Sequence, residues 1–343
     1  MKILGIESTC DETAAAVVEN GQRVLSNVVA SQIALHAKYR GVVPEIASRA
    51  HIENILPAVG EALKGARIEL SDIDAVAVAH RPGLIGSLLI GVTAAKTLAW
   101  SLAKPLVGVD HVHAHLFSVC LNNGHPTAAP QMPAVGLVCS GGHTALYQLN
   151  DFLNIQLIGA TLDDAVGEAY DKVAAILGLG YPGGPEIDRL AQDGNPTAIP
   201  FPRTRLNRQS LDFSFSGIKT AVLYHVRGFQ GRQRETNLSP QELRDIAASF
   251  QAACVDVLFE KLNRAAKRIG AKSAIVGGGV SANSGLRAAT TKLGIPVFFP
   301  PMQYCTDNAA MTAGLAHLLL DSGKQSELDL DAITSSQFAD AAN

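Results

Sequence analysis

The segment His111-Val112-His113-Ala114-His115 holds the residues whose types and spacing most clearly suggest chemistry. On a helix, His111 and His115 fall four residues apart on one face and are spaced to share a metal ion, with His113 turned to the other side. No Cys-x-x-Cys accompanies them, so a closed structural zinc site is not indicated. Two imidazoles leave coordination positions open, which is the arrangement used for metal-assisted substrate chemistry. The plainer alternative is a pair of hydrogen-bonded core or surface histidines, and spacing alone does not separate the two. A metallopeptidase of the His-Glu-x-x-His kind needs a general-base glutamate beside the first histidine, and here that position is Val112.

The elements that must position these residues lie in a chain of 343 residues, long enough for two lobes rather than one core. Hydrophobic residues make up 47% and charged residues 17%, the balance of an enzyme with a large interior. A net charge of -3 excludes a protein coated all over for nucleic acid but leaves room for a local basic face. Cys10, Cys120, Cys139, Cys254 and Cys305 are odd in number and scattered, which points to a reducing cytoplasm rather than a disulfide framework. Residues 1–6 read as a first strand without a signal-peptide core. Residues 83–102 are the most apolar stretch, but Lys96, Gly86 and Gly91 interrupt it, and a buried core helix is expected there rather than a membrane span.

Along the chain, residues 2–6 and 14–18 read as strands around the polar turn Glu7-Ser8-Thr9-Cys10-Asp11-Glu12-Thr13. Asn20-Gly21 is a type I′ hairpin signal leading to a strand over 23–29. The arrangement recurs at 134–139 and 145–149 around Ser140-Gly141-Gly142-His143-Thr144, which suggests duplicated lobes. A Pro- and Ala-rich connection at 126–133 separates the copies. Residues 75–79 form a short buried strand. Leu84, Leu88, Val92, Ala95, Ala99 and Leu102 then follow helical spacing. Ser239-Pro240-Gln241-Glu242 is a capping box opening a helix that stops at Gly270. A strand at 273–276 leads into Gly277-Gly278-Gly279-Val280-Ser281-Ala282-Asn283 and a further helix. Thr306 or Asp307 is expected to cap a last helix to about Leu320, and the tail after Gly323 is expected to fray.

Glycine turns after strands let backbone N–H groups face an anion, although tight strand exits use glycine for steric reasons alone. Ser140-Gly141-Gly142 and Gly277-Gly278-Gly279 are two such turns, read as one per lobe, and together they favour a nucleotide held between lobes. Neither is a Walker loop nor a dinucleotide fingerprint. Asp171 and the loop Tyr181-Pro182-Gly183-Gly184-Pro185-Glu186-Ile187-Asp188 place carboxylates where they could accept hydrogen bonds from ribose or substrate hydroxyls.

Taken in order, these segments resemble one family. The matching motifs are residues 5–13, the His111/His115 pair, residues 138–144, residues 181–185, Phe213-Ser214-Phe215-Ser216-Gly217-Ile218-Lys219-Thr220, residues 278–283 and Cys305-Thr306-Asp307-Asn308. The family is the bacterial tRNA adenosine threonylcarbamoyltransferase, formerly labelled a glycoprotease. The resemblance implies an α/β, two-lobed actin/Hsp70/sugar-kinase-like (ASKHA) fold with duplicated hairpin sheets around a nucleotide cleft. It implies an N-terminal lobe of 1–108 completed by helix 306–343, and a C-terminal lobe of 109–305 with the metal and adenylate segments. It implies one divalent metal ion per subunit, iron(II) before zinc, on His111, His115 and Asp307. It implies that Val138, Cys139, Ser140, Gly141, Gly142, Asp171, Gly184, Asp188 and Asn283 bind threonylcarbamoyl-AMP. The acyl group would pass to the adenosine beside the anticodon of tRNA. Expected partners are a paralogous pseudo-enzyme that dimerises through the N-lobe and a small P-loop ATPase.

Two departures from the family pattern stand out. Arg81-Pro82-Gly83 replaces the usual Gly-Pro-Gly, which puts the local loop in question because arginine is strained at positive φ. Cys139 replaces the usual valine and is expected to pack as a small hydrophobe.

The acceptor is a weak aromatic amine, so Asp11 or Glu12 is the candidate to orient or deprotonate it. Arg203, Arg205 and Arg208, then Arg227, Arg232 and Arg234, then Lys261, Arg264, Lys267, Arg268 and Lys272 are the candidate basic faces for tRNA. The rival readings are a small-molecule kinase or ATPase on the same fold and a non-catalytic partner subunit, which would be expected to lack the metal ligands.

Overall fold

The computed structural model describes residues 1–39, 41–124, 128–207, 209–228 and 238–335. The chain opens with β1 (Lys2–Glu7), β2 (Glu12–Glu19) and β3 (Arg23–Ser31), antiparallel in succession. Between β2 and β3, Asn20 and Gly21 take φ of 50° and 73°, and the Gln22 N–H returns to Glu19 O at 3.3 Å. Two left-handed residues in a row are what a type I′ turn requires. The single turn α1 (Ile33–His36) and the long helix α2 (Pro44–Ala66) follow, then β4 (Ala75–Arg81), α3 (Ile85–Leu102), β5 (Leu106–Asp110) and the short α4 (His111–Phe117).

The second stretch runs through β6 (Ala134–Cys139), β7 (Thr144–Asp151), β8 (Asn154–Ala160), α5 (Val166–Ile176), α6 (Gly183–Ala191), α7 (Ser216–Arg227), α8 (Pro240–Ile269), β9 (Ser273–Gly277), α9 (Ser284–Thr290) and β10 (Val297–Phe298). The closing helix is α10 (Ala309–Asp321).

Two compact units result. One comprises Met1–Ala129 with Pro300–Asn343, the other Pro130–Phe299. Their sheets run β3-β2-β1-β4-β5 and β8-β7-β6-β9-β10. In each, two antiparallel pairings are followed by two parallel ones, so the second sheet repeats the first strand for strand. The duplication read from the two hairpins therefore extends to whole sheets. The division differs from the expected 1–108 and 109–305: the histidine segment groups with the first unit, because α4 continues β5 and packs against α10.

In the first unit, β1 and β2 are buried along nearly their whole length. Helix α2 packs on β2 and β3, α3 packs on β4, and α10 packs on β1 and β2. A strand covered on both faces reads as a continuous apolar run, which explains Thr-Ala-Ala-Ala-Val-Val in β2. Gly5 is required where α10 crosses, since a Cβ there would lie 2.3 Å from Ala309 O. α3 is the one helix among the described residues long and apolar enough to cross a membrane. Its Leu88, Val92, Ala95 and Ala99 nonetheless belong to this unit's core, with Ile55, Val59, Val76 and Val78.

Three local expectations change. Asn308, not Thr306 or Asp307, caps the last helix: its side chain accepts the Met311 N–H at 3.1 Å, which leaves Asp307 outside the helix. The segment after Gly323 does not fray over its described part. The Ser326 N–H donates to Leu106 O, the Ile333 N–H donates to His80 O, and Lys96 Nζ donates to Leu330 O. Arg81 is not among the residues of positive φ; it ends β4 in a ladder with Asp110, so no backbone strain attends the loss of glycine. Cys139 is fully buried, and burial pushes its thiol far above the ordinary range, as expected of a packed hydrophobe.

Candidate active site

Asp110 ends β5 and caps α4, its Oδ1 accepting the Val112 N–H at 3.0 Å and the His113 N–H at 3.1 Å. The strand-to-helix switch is therefore fixed at the residue before His111. His111 and His115 come onto one face, with ring centroids 4.6 Å apart. Asp307, freed from capping, completes the group: its Oδ1 lies 3.0 Å from His115 Nε2 and 3.7 Å from His111 Nε2. One ligand atom from each of the three residues lies within 4.8 Å of the other two. His113 is only partly buried and is not part of this cluster.

A buried carboxylate stands behind the cluster. Glu7 is fully buried at the end of β1, and its Oε2 lies 3.0 Å from His111 Nδ1. The Thr9 N–H donates to Glu7 Oε1 at 2.9 Å, and Thr312 Oγ1 donates to Oε2 at 3.2 Å. Burial lowers the His111 pKa, but the Glu7 and Asp307 carboxylates outweigh it and raise the imidazole to about 9. The donor set fits a divalent metal. A carboxylate on Nδ1 fixes the ring and leaves Nε2 turned toward Asp307, the usual support for a ligating histidine. Two imidazoles and one carboxylate leave positions for substrate.

Asp11 and Glu12 sit at the start of β2, in the field of the same cluster. Burial, and then the Asp307 charge, raise the Asp11 pKa. Glu12 is raised to about 7, by burial first, despite the hydrogen bond from Ser31 Oγ at 2.9 Å; Asp11 and Asp307 add to it. Its Oε2 is buried without a hydrogen-bond partner among the described residues. Because the folded protein holds this proton more tightly than the unfolded chain, Glu12 supports folding below its unfolded pKa, and that support is lost as pH rises through about 7. Metal-free Glu12→Gln is therefore expected to melt above wild type at pH 8, by no more than about 3 kcal/mol because solvent still reaches the group. The difference should vanish at pH 4.5. Parallel melting curves at both pH values would remove Glu12 from this account.

In the second unit the sequence-derived candidates form two groups. The first is the turn after β6; the Gly277-Gly278-Gly279 turn after β9 lies in this unit too, so the two glycine turns are not divided one per lobe. The Val138 and Cys139 side chains lie in the core, so only their backbone is available to a ligand. The Ser140 N–H donates to His143 O, and positions where Cβ atoms would stand on Gly141 and Gly142 are open. Gly167 on α5 packs so closely on Ser140 that a Cβ would lie 2.5 Å from its carbonyl oxygen. Asp171, one turn further along α5, accepts the Gly183 N–H at 2.7 Å, and Gly184 beside it is open. In the second group, Asp188 Oδ1 accepts from Asn283 Nδ2 at 3.1 Å, from Gln251 Nε2 at 2.9 Å and from Ser284 Oγ at 2.7 Å. Asn283 also donates to Gln251 Oε1 at 2.7 Å and caps α9. Sequence reasoning missed Gln251, which carries no local signal within α8, and the supporting role of Glu7, which lay unassigned in the quoted first motif.

The basic clusters are partly corrected. Lys261 is buried, its Nζ donating to the carbonyls of Arg205 and Ser210, so it offers nothing to tRNA. Arg203 pairs with Asp256, and Arg205 and Arg264 pair with Glu260. Arg227, Lys267, Arg268 and Lys272 remain exposed. Arg208, Arg232 and Arg234 lie outside the described residues.

A strand-for-strand duplication carrying a His-His-Asp cluster defines an α/β protein of ASKHA-like fold with a metal-compatible site. Solved structures agree on the fold. Component A of (R)-2-hydroxyglutaryl-CoA dehydratase from Acidaminococcus fermentans matches with a TM-score of 0.53 at 14% identity, over 94% of this chain and 100% of that one. HypF from T. kodakarensis matches with 0.56 at 15%, over 94% of this chain and 48% of that one. Sequence comparison reaches the activity. A family model for tRNA N6-adenosine threonylcarbamoyltransferase (TsaD) matches residues 23–314. Enzymes of that description from Moorella thermoacetica and Clostridium perfringens are 52% and 48% identical over 335 and 334 residues. The matches cover 96% of this chain, and 95% and 96% of those relatives. The chain belongs to the tRNA N6-adenosine threonylcarbamoyltransferase family, and it is a transferase that modifies adenosine in tRNA.

Proposed function

We propose that the chain moves the threonylcarbamoyl group from threonylcarbamoyl-AMP to the exocyclic amine of the adenosine beside the anticodon, in tRNAs reading codons that begin with A, and releases AMP. The observation that carries this reading is the meeting of His111, His115 and Asp307 within 4.8 Å, with Glu7 bound to the His111 ring. A non-catalytic subunit has no need of such a cluster. A kinase or ATPase on the same fold would turn over ATP steadily without tRNA.

His111, His115 and Asp307 would hold one divalent ion, iron(II) or zinc, which when bound supplies Lewis acidity and a template for oxygen ligands. Glu7 orients His111 and holds a proton on Nδ1. The open backbone turn at Ser140-Gly141-Gly142 offers N–H groups to the adenylate and to charge developing during transfer. Asp171, Gly184, Asp188 and Asn283 are the remaining adenylate candidates, with Gln251 holding the last two in register. Glu12, with its pKa near 7, suits removal of a proton from the attacking amine, and Asp11 suits its orientation. Alignment of amine and carbonyl supplies up to about 7–11 kcal/mol. The exposed Arg227, Lys267, Arg268 and Lys272 suit contact with tRNA phosphates. The partners proposed are a TsaB-like pseudo-enzyme and a TsaE-like P-loop ATPase, and the compartment is the cytoplasm.

Gly141→Val tests the adenylate assignment, because nothing crowds a side chain there. By calorimetry, AMP binding should weaken roughly tenfold or more, about 1.4 kcal/mol, with the melting temperature little changed. Unchanged AMP affinity would take this turn out of the adenylate site.

A further inference from the structure

The two oxygens of Asp110 do different work. Oδ1 caps the first turn of α4, and Oδ2 lies 3.2 Å from Arg81 Nε. The Asp110 side chain is 6% exposed and that of Arg81 25%, so the pair is shielded and the arginine is the carboxylate's cationic partner. The sheet enforces the meeting: β4 and β5 shift register between Ala79 and Arg81, which sets Arg81 opposite Asp110 at the strand ends. α4 has only seven residues, too few to hold a helical start by itself. The direction in which His111 leaves β5 therefore depends on Asp110 staying where it is.

We infer that Arg81 is a positioning residue for the metal site, acting through Asp110 on the first turn of α4 and so on His111. Where the family pattern has a glycine, this chain sets beside the start of the histidine helix a partly shielded ion pair, a charge contact without hydrogen-bond geometry. A shielded carboxylate stripped of its cation must reorganise or take up water, and its cap on α4 loosens. The inference rests on the metal reading of His111, His115 and Asp307.

The test is cobalt(II) affinity of the metal-stripped full-length protein. It is followed by visible absorption against a competing chelator, alongside melting of the metal-free form. Arg81→Gly should weaken cobalt binding about five- to tenfold, near the low edge of the effect of groups supporting metal ligands, and should alter the absorption bands. Arg81→Lys should recover most of the affinity. In an Asp110→Asn background, which keeps the cap but not the charge, Arg81→Gly should have no further effect on affinity. Tight wild-type binding that Arg81→Gly leaves unchanged, even with a lower melting temperature, would show a merely structural pair and overturn this inference alone. Wild-type protein that binds no cobalt, or binds it independently of His111 and His115, would overturn the metal reading and this inference with it.

Discussion

His115→Ala is expected to transfer threonylcarbamoyl to tRNA about 10²–10⁴-fold more slowly than wild type, the several kcal/mol that a bound metal contributes to a polarised transition state. His115 is the cleaner of the two histidines to remove. It is fully buried and its ring lies 3.0 Å from Asp307, which is partly exposed, whereas His111 balances the buried Glu7 charge. Truncating His111 would leave that carboxylate unpaired and mix a folding defect into the result. His115→Ala leaves the Glu7–His111 pair intact, and alanine favours the helix. Bound metal should fall in parallel with activity, while circular dichroism and melting of the metal-free protein report a folded chain. Near-normal transfer by this variant would refute the ligand role.

Glu7→Gln should weaken metal binding about 10- to 100-fold, the usual cost of losing the partner of a ligating histidine. An amide oxygen in place of Oε1 still accepts from Thr9 N–H, and the amide NH2 in place of Oε2 can donate to the Thr312 hydroxyl once that rotates, so the variant should fold. Without the carboxylate charge, the His111 imidazole loses the main influence that raises its pKa, and its titration by NMR in the metal-free protein should move down. Glu7→Ala is a different experiment. It removes the charge and also the acceptors of Thr9 N–H and Thr312 Oγ1, and should cost about 1–3 kcal/mol for each buried polar group left without a partner. A Glu7→Gln protein with wild-type metal affinity would reduce Glu7 to a structural anchor.

Much of this was legible in residue patterns. Asn20-Gly21, the alternation of strands with polar turns, and the capping box at Ser239 foretold the hairpins, the repeat and α8, because each depends on local chemistry. The i,i+4 spacing of His111 and His115 placed both on one helix face for the same reason. Asp307 lies nearly 200 positions away, and no spacing rule links it to the histidines; family resemblance supplied it. Glu7 lay in plain view, but its role depends on which buried group the end of β1 meets. Gln251 is one polar residue within a helix of 30 residues, and its partners Asp188 and Asn283 come from other elements. The cap of α10 went to Asn308 rather than to a neighbouring residue because a one-position choice turns on backbone direction. That choice frees Asp307 to face His115. The segment after Gly323 looked too polar and small to pack, yet its backbone hydrogen bonds to β5 and to His80 hold its described part.

The most direct test of the central claim is threonine transfer by metal-stripped protein as metal is returned. Labelled threonine, bicarbonate, ATP, a threonylcarbamoyl-AMP synthase, the partner proteins and tRNA would be supplied in excess. Label in tRNA should be nearly absent without metal and should rise to a plateau at one iron(II) or zinc ion per subunit. His111→Ala/His115→Ala protein should stay flat throughout. Full transfer by stripped protein, or by the double variant, would contradict a metal centre built from His111, His115 and Asp307.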